Sequence, residues 1–495
     1  MKQLANILAF FTVMMFLAPS CTKSLELDPV SQISSATFWK TEDDAVGGLN
    51  GMYVRLRAQA AGNFFLWGEA RSEIMTRSLG GTAGYDAYYE NALNTAVAGP
   101  SWGGLYTVIH DANLLLKYVP LITFRDEAKK NNILAQTYAM RAFVYFLMVK
   151  TWGDIPLIST PTESFSAEAI QKERSAKSEV FAFIKQDIEE AIRLFSNYTI
   201  PAGRNLWSKP SVNALKADVY LWTGKRLNGG DADLTTALNA LEEVEKADVE
   251  LLQNFADVFA YNNKGNKEIL MAIRFQELES PETLTTSMYL TSQFRTTATD
   301  AVTLAAIGEL AGTGGPYWAP SEMVRTQFND DDIRKKASFI EIYNYDPQGA
   351  NPVYYGSVVS KFRGVISGGV RRFYDDVVLY RYADVLLMKA EVKNALGQDP
   401  SDEINLVRQR AYQSNYNSHV FVSGTREQND EAILQERLFE LIFEGKRWWD
   451  LIRFNKAFEK VPSLQNRAGQ EYLLLFPISS SVLSLEIKVK QNEGY

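Results

Sequence analysis

Few residues in this chain are equipped for covalent chemistry. One cysteine, Cys21, and two histidines, His110 and His419, occur among 495 residues. No His-Glu-x-x-His pair, Gly-x-Ser-x-Gly elbow or Walker A loop is present, so three common catalytic designs lack their side chains. Zinc lacks a cysteine–histidine set. Glu440 and Glu444 stand one helical turn apart and resemble a paired-carboxylate acid/base site. Arginines lie beside both, and a neighbouring positive charge lowers a carboxyl pKa, the wrong direction for a general acid. The run Asn329-Asp330-Asp331-Asp332 lacks the glycine and terminal glutamate of a calcium loop. Short acidic residues ahead of Ile333 suit a helix N-terminus instead. The expectation is a protein with no catalytic residues, no metal and no cofactor.

Binding is better served. A sugar ring has an apolar C–H face and a rim of hydroxyls, so its receptor needs open aromatic planes beside polar side chains. Aromatic residues make up 12% of the chain, and several fall in glycine-rich segments where a core role is harder to assign. Trp67 lies in the run Gly62–Gly68, and Tyr317-Trp318 follows Gly314-Gly315-Pro316. Tyr85, Tyr88 and Tyr89 fall at i, i+3 and i+4, so a short helical turn would bring three rings to one side. These six residues are the candidate ligand contacts, with Asn63, Glu69 and Asp86 as polar partners. The alternative for each ring is packing of a loop onto the body.

Cys21 carries different chemistry. Lys2 precedes the mostly apolar run Leu4–Leu17 and the small-residue segment Ala18-Pro19-Ser20. That run of about fourteen is short of the roughly 20 residues that span a bilayer and suits a secretory signal. Residues 1–20 therefore read as a bacterial lipoprotein signal, with Cys21 the lipid-bearing first residue of the mature chain. An ordinary signal peptide with an incidental cysteine is the alternative. With one cysteine no intrachain disulfide can form. Residues 1–20 hold one lysine and no acid, so their removal takes the formal charge from −8 to −9. An acidic chain without a polybasic cluster excludes nucleic acid as a partner, and electrostatic docking on anionic lipid.

The elements that must position the aromatic residues are mostly helices. Thr37 reads as a cap before Phe38-Trp39, and Asp43–Leu56 has helical apolar spacing. Residues 77–104 read as loop, and helix resumes over Leu105–Val119. Leu134–Trp152, Ser211–Gly224 and Tyr380–Gly397 alternate small residues with aromatic or leucine knobs, the packing logic of tetratricopeptide hairpins without a strict 34-residue period. Ala176–Phe195 and Thr235–Lys246 are amphipathic partners for two of them. Residues 265–375 mix short β-prone runs (Glu268–Phe275, Val353–Phe362) with Pro, Gly, Ser and Thr. The expected fold is mainly α: divergent tetratricopeptide-like helical hairpins with a loop-rich, irregular C-terminal half carrying short strands. The boundaries are residues 1–20 for the signal, 21–264 for the helical-repeat region and 265–495 for the C-terminal region, loop-rich over 265–375 and helical over 376–455.

From Gln435 the chain reads Gln-Glu-Arg-Leu-Phe-Glu-Leu-Ile-Phe-Glu-Gly-Lys-Arg-Trp-Trp-Asp-Leu-Ile-Arg-Phe. This resembles the C-terminal hallmark of the SusD/RagB family, surface lipoproteins of Bacteroidetes nutrient-uptake systems. Ser101-Trp102 to Asn113, Arg141-Ala142 to Pro156, and Arg381-Tyr382-Ala383-Asp384-Val385-Leu386-Leu387-Met388 agree in family order. The ending Gln491-Asn492-Glu493-Gly494-Tyr495 is similar to the family's, with glutamate for proline. On one helix, Arg437 and Glu440, Glu444 and Arg447, and Asp450 and Arg453 would pair on the surface over an apolar face that includes Leu438, Trp448 and Leu451. That makes the hallmark a scaffold. The resemblance implies an outer-membrane, lipid-anchored protein facing the exterior. It would bind a glycan or oligosaccharide and deliver it to a SusC-like TonB-dependent transporter without catalysis. The RagB side of the family implies a peptide cargo instead, for which Arg71 to Arg77 or Arg371-Arg372 would bind carboxylates. A surface hydrolase is the third reading, opposed by the thin histidine count.

Overall fold

The computed structural model describes residues 38–81, 84–164, 166–291, 294, 296–308 and 315–495. Cys21, Thr37 and Gly314 lie outside them. Helix α1 (Glu42–Ala60) starts at a reciprocal cap, in which Asp44 N–H donates to Thr41 Oγ1 at 3.2 Å and Thr41 N–H donates to Asp44 Oδ2 at 2.7 Å. Two short helices, α2 (Asn63–Gly68) and α3 (Asp86–Tyr89), precede α4 (Gly103–Tyr118), which packs back on α1.

The 26-residue helix α5 (Glu127–Trp152) is the spine of the molecule. Every residue from Ala139 to Trp152 is buried, so helices must surround it. Its buried Arg141 is matched, with two nitrogens each 2.8 Å from Asp187 and a third 2.6 Å from Asn113. Helix α6 (Lys177–Leu194) pairs with α5, and α7 (Lys209–Arg226) pairs with α8 (Gly230–Val244). Later in the chain come the short α9 (Ile333–Ser338), then α10 (Tyr382–Ala395), α11 (Ser401–Tyr412) and α12 (Arg426–Leu441), with α10 lying between α8 and the last two. The three segments predicted from their small-and-knob spacing are α5, α7 and α10. Ala142, Ala214, Ala217, Ala383 and Ala390 are all fully buried where these helices meet. The fold is mainly α, as expected, a stack of irregular helical hairpins.

The strands form two-stranded pairs. β1 (Met75–Arg77), β2 (Ile269–Ile273), β3 (Trp318–Pro320), β4 (Phe339–Tyr345), β5 (Pro352–Val359), β6 (Val365–Ser367), β7 (Val370–Arg372) and β8 (Val377–Arg381) pair antiparallel as β1–β3, β2–β8, β4–β5 and β6–β7. The β1–β3 register places Met75 opposite Pro320 and Arg77 opposite Trp318. Asp332 caps α9 by accepting from Arg334 N–H at 2.9 Å, the capping role read from the acidic run.

The hallmark segment departs from the expected single helix. α12 ends at Leu441, and α13 (Arg447–Arg453) starts after a turn in which Phe443 and Gly445 have φ of 69° and 73°. Gly68 sits against that turn, where an added Cβ would collide with the Gly445 carbonyl oxygen. The charges are not on the surface either. The side chains of Arg437, Glu440, Glu444, Arg447, Asp450 and Arg453 are all buried, and of the three predicted spacings only Asp450–Arg453 is an ion pair, at 2.8 Å. The turn breaks the helical spacing that Glu444 and Arg447 required, while Arg437 and Glu440 share α12 but turn to partners outside it. Their partners come from distant segments: Asp384 for Arg437 at 3.0 Å, Glu73 for Arg447 at 2.6 Å, and Arg381 for both Glu440 and Glu444 at 2.6 and 2.8 Å.

The chain's end is docked onto the end of α5. Asn492 Nδ2 donates to the carbonyls of Trp152 and Phe476, both at 3.1 Å, and Tyr495 OH donates to Leu475 O at 2.7 Å. Gly153, at φ 75°, supplies the left-handed residue that ends α5.

Candidate ligand-binding surface

Helix α3 and strand β3 bring four of the six predicted aromatic residues together. Trp318 is the hub: its ring centroid lies 4.5 Å from Tyr85, 5.8 Å from Tyr89 and 6.2 Å from Tyr88, with Phe65 at 5.8 Å. The short turn expected to gather the three tyrosines is α3 itself, with Tyr85 at its N-cap. Trp318 is fully buried and Tyr88 nearly so, while Tyr85, Tyr89 and Tyr317 are half-buried. The hub therefore supports the tyrosines from below and offers no open face of its own. Tyr89 OH donates to Asp86 Oδ1 at 2.7 Å, and the charges of Asp86, Arg77 and Glu90 all act on that phenol. Hydroxyl-bearing rings beside a carboxylate and a guanidinium form an amphipathic surface suited to a polyol.

Trp67 is elsewhere. It lies on α2, fully buried, with its ring 5.5 Å from Trp152 and its N–H donating to Pro100 O at 3.1 Å. Gly68 beside it allows close packing against the Gly445 turn, and the residue belongs to the core rather than to an exposed loop. Glu69 is also buried, accepting from the N–H groups of Phe443, Gly445 and Lys446, and burial pushes its pKa up to about 8. It is a structural carboxyl holding the hallmark turn. Asn63 donates to Gln59 at 3.1 Å.

A family model described as SusD family matches residues 222–495, more than half of the chain, and one described as starch-binding associating with outer membrane matches residues 49–221. The chain belongs to the SusD family. SusD-like protein P38 of Formosa agariphila is 29% identical over 541 residues, spanning 100% of both chains. The solved structure of NanU from B. fragilis superposes with a TM-score of 0.85 at 34% identity, covering 95% of this chain and 100% of that one. A SusD superfamily protein from Bacteroides vulgatus gives a TM-score of 0.83 at 33% identity, covering 92% of this chain and 100% of the other.

Within this SusD-family body, the residues that could do acid–base chemistry are tied into structure. Burial would raise the carboxyls of Glu440 and Glu444, but Arg410 and Arg381 outweigh it at Glu440, and Arg381 and Lys361 at Glu444, holding both below the ordinary range; the direction is the expected one, but the cations are not the neighbouring Arg437 and Arg447. His110 Nδ1 accepts from Thr162 N–H at 3.3 Å, and His419 stacks on Tyr412 with ring centroids 3.6 Å apart while its Nε2 lies 2.8 Å from Asp331. No group of three His, Cys, Asp or Glu residues that could hold a metal occurs among the described residues. Among those residues, no helix is long and apolar enough to cross a membrane.

Two of the arginines proposed for a peptide carboxylate, Arg71 and Arg372, are also committed. Arg71 is fully buried, donating to Asn91 at 2.9 Å, to Leu475 O at 2.8 Å and to Leu473 O, with Trp448 stacked 4.6 Å away. Arg372 pairs with Glu282 at 3.0 Å.

Sequence reasoning missed two surfaces. The hairpin β4–β5 exposes Tyr345 and Tyr354, with Arg325 4.1 Å over the Tyr354 ring. The cross-strand pair Tyr343–Tyr354 is visible only once the register is known. The second is a cleft of about 760 Å³ between the Asn254–Asn262 segment, α9 and residues 360–375. Its walls come from three separate stretches of chain, and only Arg371 among its lining residues was singled out in the sequence.

Proposed function

We propose that this SusD-family chain is a lipoprotein of the outer membrane, anchored through Cys21 and facing the exterior. It binds a glycan or oligosaccharide and passes it to a SusC-like TonB-dependent transporter, catalysing no reaction. The observation that carries the binding half is the pair of half-buried tyrosines, Tyr85 and Tyr89, arranged over the buried Trp318 beside Asp86 and Arg77. Rings whose backs rest on a rigid indole lose little entropy when a sugar stacks on them. Delivery to a transporter favours modest affinity, since release must be fast. The helical region 21–264 and the C-terminal region 265–495 both contribute, through α3 and β3 respectively.

The test is calorimetric titration of a panel of neutral oligosaccharides. Tyr85→Ala and Tyr89→Ala are expected to weaken binding by roughly 1–2 kcal/mol each while leaving the melting temperature unchanged within a few degrees. Normal affinity in both variants removes this surface as the site. For the anchor, Cys21→Ser is expected to release the protein from the outer-membrane fraction in detergent-free buffer. A variant that stays in that fraction through a high-salt wash refutes the lipid attachment.

A further inference from the structure

The cleft of about 760 Å³ lies outside the aromatic surface and has a charge opposite to that of the whole chain. The protein carries a formal charge of −8. This cleft is nevertheless lined, among the described residues, by Lys336, Arg363 and Arg371 against one exposed carboxylate, Asp257. The other lining carboxyl, Asp375, is buried and accepts from Gly364 N–H at 3.0 Å. Burial pushes it up to about 7, so it offsets only part of a charge near neutral pH. Lys361 reaches the cleft wall, but its ammonium is spent on Glu444 at 2.7 Å and on the carbonyls of Glu440 and Ile442.

Two of the cleft's guanidinium groups are fixed in place. Arg363 Nη2 donates to Ala306 O at 2.6 Å, and Arg371 Nη1 donates to the Arg363 carbonyl at 2.5 Å while its guanidinium lies 5.0 Å from the Tyr289 ring. Held guanidinium forks bind carboxylates and sulfates with little ordering cost. The opposite wall adds the half-buried ring of Tyr261 and the exposed amide of Asn262, groups that suit a sugar face and its hydroxyls. A volume of about 760 Å³ is far larger than a simple inorganic anion needs.

We propose that this cleft is a second ligand site, separate from the tyrosine surface, and that it takes an anionic saccharide through Lys336, Arg363 and Arg371. The saccharide class rests on the glycan-binding reading; the anionic preference and the location do not.

The experiment titrates the full mature chain with a galacturonate hexamer, a sulfated hexasaccharide, a neutral hexasaccharide and hexaglutamate. Lys336→Gln and Arg363→Gln, singly and together, are the variants. Both side chains are exposed, so the melting temperature should hold; if Arg363→Gln lowers it through the lost bond to Ala306, Lys336→Gln alone decides. The double variant is expected to bind at least one anionic saccharide about tenfold more weakly, with the neutral one unaffected. The two anionic probes tell a carboxylate from a sulfate ester as the recognised group. Unchanged affinity for both anionic saccharides overturns the site, as does failure of both to bind the native chain. Hexaglutamate losing as much affinity as the sugars overturns the saccharide class. Tyr85→Ala and Tyr89→Ala test the tyrosine surface separately, so the failure of one site is not read as the failure of the other.

Discussion

Arg381→Met is expected to destabilise the protein by at least about 5 kcal/mol, enough to abolish expression of a folded chain at 37 °C. Arg381 is fully buried at the junction of β8 and α10. Its guanidinium reaches Glu268 at 2.7 Å, Glu440 at 2.6 Å and Glu444 at 2.8 Å, and it also donates to Glu440 O at 2.7 Å. Around it Arg334, Lys361, Arg408 and Arg410 share those acids together with Asp332 and Glu436. The cluster is balanced, five cations against five carboxylates, so losing Arg381 leaves a surplus negative charge in a site closed to water. Breaking one buried pair costs about 3–5 kcal/mol, and here three carboxylates lose a partner at once. Arg408, at the partly exposed rim, is the control: Arg408→Met should cost less than half as much in a urea titration. Adding Glu444→Gln to Arg381→Met should recover part of the loss, because it removes the surplus charge. A urea midpoint for Arg381→Met equal to that of the native chain would show that the cluster contributes no stability.

That cluster was the least legible feature of the sequence. Helical spacing correctly marked α1, α4 to α8 and α10, since a stripe of apolar residues depends only on neighbours within a few turns. It also led to a single surface helix from Gln435 onward, because Arg437/Glu440 and Glu444/Arg447 fit i,i+3 pairing equally well whether exposed or buried. Their actual partners, such as Glu73 for Arg447 and Glu268 for Arg381, are separated by 374 and 113 residues, and nothing local announces such contacts. The aromatic residues divide in the same way. Tyr85, Tyr88 and Tyr89 have a periodicity that places them on one turn, whereas Trp67 and Trp318 stand next to glycines that read as loop. Gly68 is there because α2 abuts the Gly445 turn, and Trp318 is a strand residue facing Arg77. A glycine that permits close packing looks, in sequence, like a glycine that permits a bend.

Acid should unfold the protein over a predictable window. Burial would raise the carboxyl of Asp384, but Lys446 and Arg437 outweigh it and hold the group at about 2. Glu391 is likewise held at about 2 by Arg453 and Lys225 against the effect of burial. Because these folded-state values lie below those of the unfolded chain, their stabilisation is complete above pH 4.5 and is lost as the pH falls through about 2. At about 1.4 kcal/mol per unit, each contributes roughly 2–4 kcal/mol, and Glu440 and Glu444 add to the loss in the same direction. Two buried carboxyls shift the other way, Glu69 to about 8 and Asp375 to about 7, both through burial. Their stabilisation is complete below the ordinary carboxyl range and is lost as the pH rises through those values. They are therefore protonated in both states at the acid end and cannot mask the loss there. The urea midpoint should peak near pH 5, fall steeply toward pH 2 and decline more gently from pH 5 to pH 8. A midpoint that stays level between pH 5 and pH 2.5 would mean that Asp384 and Glu391 are not ionised in the folded protein, and the buried network would have to be redrawn as neutral hydrogen bonds.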